Sequence, residues 1–213
     1  MTKLATPQID ASRAATRRRQ VLDAATRCFT QRGFHGASIA QIGIEAGMSA
    51  GHIYRYFTNK EEIIAGIVER HLDEARKMIS EIEDEADDLT EALIECADRG
   101  VDKALDPLHA MMMVEVKAES ARNPKLAAIL HAADAEMRDH MRRVIAQATP
   151  ADWPPEEVEI RSELLALTFE GLPLRMLANP TLDRPTMVRM MRFAVAAILQ
   201  QQPVRRAEQP SAA

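Results

Sequence analysis

In four long runs, apolar side chains return at every third or fourth position, and this recurrence constrains the fold more than any other feature of the chain. The runs are Val21, Ala25, Cys28 and Phe29; Ile64, Val68, Leu72, Ala75, Met78 and Ile82; Leu89, Leu93, Ala97, Val101 and Leu105; and Leu126, Leu130, Ala133, Met137, Met141, Val144 and Ala148. A helix buried along one face has this 3.6-residue period, whereas no segment shows the sustained alternation of a strand. The fold is therefore expected to be all-α. Proline marks the joints: Pro107 and Pro124 suit first helical turns, residues 150–155 a long connection, and Pro180 and Pro185 a turn. About nine helices follow from this punctuation.

Of the 213 residues, 46% are hydrophobic and 28% charged, a balance that supports a real core. The longest uninterrupted apolar run, residues 193–199, falls far short of the roughly 20 residues a spanning helix needs, and no apolar signal segment opens the chain. The two cysteines, Cys28 and Cys96, are too few for a disulfide framework or a four-thiolate zinc site; both sit at packed helix positions. The expectation is a cytoplasmic protein without a membrane partner. Phosphate loops, dinucleotide-binding glycines, zinc-protease and nucleophile-elbow motifs are absent, and the six histidines are scattered. No enzyme, no cofactor and no metal site are expected.

Net charge is −5, but its distribution matters more than its sum. Residues 1–60 hold nine Lys/Arg against three acids, while the remainder holds 18 against 29. A basic head on an acidic body points to a polyanion partner at one end only. Arg13, Arg17, Arg18 and Arg19 crowd what reads as the start of the first helix, where the macrodipole disfavours cations, so an external anion would give them a purpose.

Five of the eight glycines fall between residues 33 and 51. Ser38 followed by Gln41 has the form of a capping box, so a second helix should start there and close at Gly47, which suits a left-handed residue. Ser49 is placed to cap a third helix, and the tight link between the two makes a helix-turn-helix. The third helix points Ile53 and Phe57 inward. It leaves Ala50, Gly51, Tyr54 and Arg55 on the opposite face, with His52 on the flank, where they can meet a DNA groove. Arg55 can take guanine in a bidentate contact or simply clamp a phosphate. Asn59, with Glu62 three residues on, caps a long helix from Lys60.

Residues 33–39 (Gly-Phe-His-Gly-Ala-Ser-Ile), Ile42 with residues 46–51 (Ala-Gly-Met-Ser-Ala-Gly), residues 53–57 (Ile-Tyr-Arg-Tyr-Phe) and residues 60–63 (Lys-Glu-Glu-Ile) resemble the N-terminal signature of TetR-type transcriptional regulators. The resemblance covers about 50 residues and implies a three-helix DNA-binding domain over 13–60. It also implies a larger helical ligand-binding and dimerisation domain, here 61–202, with flexible tails at 1–12 and 203–213. It assigns Gly51 and Tyr54 to groove contacts, and Ser38, Ser49, His52, Tyr56 and Lys60 to phosphates. Two positions depart from the family pattern: Ala37 stands where Thr is usual, and Ala50 where Lys is frequent.

In the body, Met111, Met112, Met113 and Val114 sweep most of a helix circumference and are expected to be surrounded at its centre. Met112 and Met113 would line a pocket for a hydrophobic ligand or serve as core filler. Glu115 would face a cationic ligand or stand solvated at the surface. Residues 156–178 carry apolar side chains in nearly every direction, among them Leu165, Phe169, Leu172 and Met176, and the next helix offers Met191, Val195 and Ile198. A four-helix contact with a second copy would bury both, and Pro173 is expected to kink the first. Residues 169–175 weakly resemble a stretch found in a subgroup of the family's C-terminal domains, and Phe169 is placed with the ligand residues.

The function expected from these readings is a homodimeric repressor on a near-palindromic double-stranded operator, released by a small hydrophobic or amphipathic effector. The alternative is a DNA-bound structural or nucleoid-associated dimer without an effector.

Overall fold

The computed structural model describes residues 7–203, with side chains from Ser12 onward. Of the two expected flexible tails, residues 1–6 and 204–213 lie outside the described residues, and residues 7–12 are helical. Among the described residues there are nine α-helices and no strands. They are α1 (Pro7–Gly36), α2 (Ile39–Ala46), α3 (Ala50–Ile53), α4 (Lys60–Glu85), α5 (Leu89–Leu105), α6 (Pro107–Ser120), α7 (Pro124–Ala148), α8 (Pro155–Ala178) and α9 (Arg184–Gln200).

Helix starts follow local chemistry. Asp106 caps α6 and Asp183 caps α9 by accepting from Leu108 N–H and Thr186 N–H, each beside a proline in the first turn. At α4, Asn59 Oδ1 accepts from Glu62 N–H at 2.8 Å. The Glu62 carboxylate bends back to Thr58, accepting from its N–H at 2.5 Å and its hydroxyl at 2.8 Å. α8 continues through Pro173 to Ala178.

The chain divides into two compact units. The first comprises the described residues to Ala75 together with Asp106–Ala135, and the second Arg76–Leu105 with the described residues from Glu136. Each has its own core. Phe29, Phe34, Ile42, Ile53, Phe57, Ile63, Ile64 and Ile67 fill the first, joined by Met112, Val116 and Leu126 from α6 and α7. Met112, expected at the centre of the acidic body, is instead wholly buried in the core of the basic head, because α6 packs on α1. The methionine run is not surrounded either, since Met111 stands exposed, while Met113 is half-buried.

The second core is built from Val101, Ile145, Leu165, Leu172, Met187, Met191, Val195 and Leu199. Gly100 is required there: a β-carbon on it would lie 2.3 Å from the Phe169 ring, so Phe169 packs against bare α5 backbone. Arg161, which carried no signal in the sequence, is buried at the start of α8. Its guanidinium donates to Glu157, to Gln201 O at 2.6 Å and to the Ile198 carbonyl, and lies 4.0 Å over the Trp153 ring. A charge so fully paired can be buried without a large penalty, and it ties the beginning of α8 to the end of α9.

The apolar stripe that the sequence reading gives to a partner copy is the inward one. Leu165, Leu172, Met191 and Val195 are buried within the chain, and Met176 and Ile198 are half-buried against the same cluster. Periodicity locates stripes on a helix but not which of them faces its own core. On these two helices the large apolar residues left exposed are Ile160, Leu164, Leu167, Leu174 and Leu177 of α8, and Met190 and Phe193 of α9.

Among the described residues, three carboxylates titrate below their ordinary values of 3.8 to 4.5: Glu62 through the hydrogen bonds from Thr58, Asp102 through the pair from Arg184, and Asp183 through those from the Thr186 side chain and amide. A carboxylate whose folded pKa is depressed adds stability that is complete above its unfolded value and lost as pH falls through the folded one. Glu62→Gln is therefore expected to lower Tm at neutral pH, with its Tm converging on that of the unaltered chain below pH 4.5, as monitored by circular dichroism.

Candidate nucleic-acid interface

The interface begins where α1 breaks. Gly33 takes φ 71° and ψ 167°, a conformation open essentially to glycine alone, and the chain turns away from the α1 axis. The turn is held from two helices. Glu115 Oε1 of α6 accepts from Phe34 N–H at 2.6 Å, and Lys60 Nζ of α4 donates to Phe34 O at 2.5 Å and Ala37 O at 3.0 Å. The Lys60 ammonium also lies 4.4 Å over the Phe34 ring, and one helical turn beyond Glu115, Glu119 meets His35 Nε2 at 3.1 Å.

α2 starts as the sequence implies. Ser38 accepts from Gln41 N–H, and the Gln41 side chain accepts from Ser38 N–H, which completes the capping box. Gly47 closes α2 with φ 61° and ψ 35°, and Ser49 caps α3 by accepting from His52 N–H at 3.2 Å. Ile53 and Phe57 are buried behind α3, whereas Gly51, Tyr54 and Arg55 are exposed, Tyr54 to 55%. Ala50 and His52 are half-buried beside them. α1 braces this pair: Gln20 donates to Ala46 O at 2.6 Å, Arg27 meets Glu45 at 2.6 Å, and Arg18 reaches Tyr56 O at 3.3 Å with its guanidinium 4.4 Å over Phe57.

The side chains singled out from the sequence thus differ in what they have free. Arg55 makes no polar contact with its side chain among the described residues, nor do Arg13 and Arg19. The Ser49 oxygen serves α3 as an acceptor, which leaves its hydroxyl proton for an outside acceptor; the Ser38 hydroxyl already points to Gln41 Oε1 at 3.1 Å. Tyr56 is half-buried, its hydroxyl 3.4 Å from His52 Nε2. Lys60 has two of its three donors on backbone carbonyls.

The geometry corrects two expectations. α1 starts at Pro7, so Arg13 to Arg19 lie beyond its first turn and outside the reach of the positive helix end, and Arg18 has internal partners. Glu115, expected to face a ligand or solvent, is half-buried and turns one oxygen inward to accept from the Phe34 amide at the Gly33 break. Met112, Met113 and Glu115 belong to the first compact unit and Phe169 to the second.

Residues 21–67 match the family described as bacterial regulatory proteins, tetR family, and residues 101–200 match the BetI-type transcriptional repressor, C-terminal, description. The HTH-type transcriptional regulator UidR of Escherichia coli K12 is 32% identical over 117 residues, which are 53% of this chain and 56% of UidR. The chain thus spans about half the length of the curated relatives it matches. Among solved structures, a transcriptional regulator from Rhodococcus sp. Rha1 superposes with a TM-score of 0.70 at 25% identity, covering 86% of this chain and 96% of that one. FadR from Bacillus subtilis, in complex with stearoyl-CoA, gives 0.71 at 17% identity over 85% and 97%. Among the described residues no helix is long and apolar enough to cross a membrane.

Gly33→Ala is expected to cost about 1–3 kcal/mol in denaturant unfolding, since alanine is strained at this φ and ψ and its methyl would stand 3.2 Å from Glu115 Oε1. Gly51→Ala, where an added methyl meets nothing, should leave stability unchanged or raise it by up to about 1 kcal/mol.

Proposed function

Because this chain belongs to the tetR family of bacterial regulatory proteins, we propose that it acts as a homodimeric transcriptional repressor, released from a near-palindromic operator by a small hydrophobic or amphipathic effector. The observation that carries this reading is the surface of α3 and the turn that follows it: Gly51, Tyr54 and Arg55 are exposed, while Ile53 and Phe57 on the far side are anchored in the core. A short helix so backed can enter a major groove without losing its own packing. Gly51 lets the backbone approach the groove floor, Tyr54 offers a ring and a hydroxyl, and Arg55 supplies a guanidinium for guanine or phosphate. Ser38, Ser49, His52, Tyr56 and Lys60, at the helix starts and flanks, would meet phosphates and fix register.

In this reading residues 13–60 carry DNA binding and 61–202 carry regulation and assembly. Dimerisation is supported by the uncovered apolar residues on α8 and α9, with Phe193 78% and Leu167 67% exposed. Bare apolar stripes of this kind mark association surfaces. Two α3 helices about 34–36 Å apart would then reach successive grooves. The repressor description matched by residues 101–200 and the stearoyl-CoA held by FadR support effector release. Such an effector must bind the mis-spaced form more tightly by a few kcal/mol, since an indifferent ligand shifts nothing.

The test is titration with a duplex selected from a randomised library, repeated across salt concentrations. Affinity should fall steeply, with a log–log slope of about −0.9 per neutralised phosphate, and Arg55→Ala should flatten it by about one unit per protomer. Arg55 isolates the electrostatic part better than Lys60, whose removal would also release Phe34 and Ala37. Binding that ignores both salt and sequence would refute the proposal. For assembly, Phe193→Arg with Leu167→Arg should convert dimer to monomer in analytical ultracentrifugation, while Val195, buried within the chain, would be the wrong place to look.

A further inference from the structure

The stretch from the Gly33 break to the start of α2 is short, yet three side chains from outside it grip its backbone and its one exposed ring. Glu115 holds Phe34 N–H, Lys60 holds Phe34 O and Ala37 O, and Glu119 holds His35. Glu119 is itself buried, and Arg122 at 3.1 Å completes its pairing. Two of these three come from a single face of α6, with Glu115 lying 81 residues beyond Phe34 and outside the residues 21–67 that match the DNA-binding signature.

We infer that Glu115 is a positioning residue for groove reading: by accepting the Phe34 amide hydrogen bond, it sets the direction in which the chain leaves α1 and therefore where α3 lies. The inference rests on the proposed role of α3 in DNA binding. Its physical basis is the shortness and stiffness of the segment from Phe34 to α3. Phe34 is buried, Ala37 is wholly buried, Ser38 begins α2 with a completed capping box, and Gly47 and Ser49 join α2 to α3 without slack. A rotation at Phe34 is passed on, undamped, to Gly51, Tyr54 and Arg55. Without Glu115 the Phe34 amide has no helical acceptor, because the Gly33 break removes it from the α1 ladder, and the turn would relax to find one. Sequence discrimination needs groove contacts placed within a fraction of an ångström, whereas sequence-independent affinity needs only charge near phosphates. Disturbing Glu115 should therefore harm the first and spare the second.

The discriminating variant is Glu115→Asp, which keeps the negative charge and the helix but withdraws the carboxylate by one methylene. Glu115→Gln, which keeps an acceptor oxygen at full reach, is the rescue. Affinities for the library-selected duplex and for a scrambled duplex of the same length are measured at one salt concentration, together with Tm and amide exchange at Phe34. The expected result is a tenfold or greater loss of selected-duplex affinity in Glu115→Asp, with scrambled-duplex affinity within twofold of the original and faster Phe34 exchange. Glu115→Gln should recover most of the preference. An Asp variant that keeps the full preference overturns the inference alone, as does one that loses affinity for both duplexes equally in step with a fallen Tm. An unaltered protein that shows no preference between the duplexes overturns both the inference and the reading beneath it.

Discussion

The hydrogen bond from the Phe34 amide to Glu115, made at a glycine that no other residue could replace without strain, turns one long helix into a helix with a reading head at its end. Breaking an α-helix exposes amides and carbonyls that must find partners or remain unsatisfied in a buried place. Here the partners are side chains from helices remote in sequence, a carboxylate for the amide and an ammonium for two carbonyls. Opposite charges thus approach the same short link from α6 and α4, each matched to the backbone dipole it meets. The helix-turn-helix is consequently not a free-standing appendage: its entry angle is specified by α6, and the core beneath it includes Met112, Val116 and Leu126.

That arrangement explains how a chain with an acidic balance can present a basic surface. The cations of the first unit include two kinds. Arg18, Arg27, Arg70 and Lys60 are committed to carbonyls, carboxylates and aromatic faces within the first unit, where they fasten α1, α2 and α4 together. Arg13, Arg19 and Arg55 have no such partner among the described residues and remain for an outside anion. Counting charges in a segment mixes these two populations, and only the second contributes to long-range attraction at full strength.

Much was legible from spacing. The capping box at Ser38, the left-handed Gly47, the Ser49 cap and the inward pair Ile53 and Phe57 all stand where the residues imply, because each is a local interaction completed within a few positions. The all-α architecture and the helix starts at Pro107 and Pro124 were readable for the same reason. What was misread depended on partners distant in sequence. A methionine run says that a turn is apolar, not which core receives it; a carboxylate beside it gives no hint of an amide 81 residues earlier. On α8 and α9, two apolar stripes compete, and the side holding Leu165 and Val195 is inward only because α5 and Gly100 pack there.

By itself, then, the order of residues determined the periods, the caps, the glycine joints and the separation of charge, since these come from backbone geometry and neighbours three or four positions apart. Tertiary structure alone decided which faces meet: that α6 serves the head, that Arg161 locks α8 to α9, and that Leu167 and Phe193 are left uncovered. The physical reason is that burial and long-range hydrogen bonding are properties of pairs of surfaces, and a pairing leaves no periodic trace in either segment taken alone.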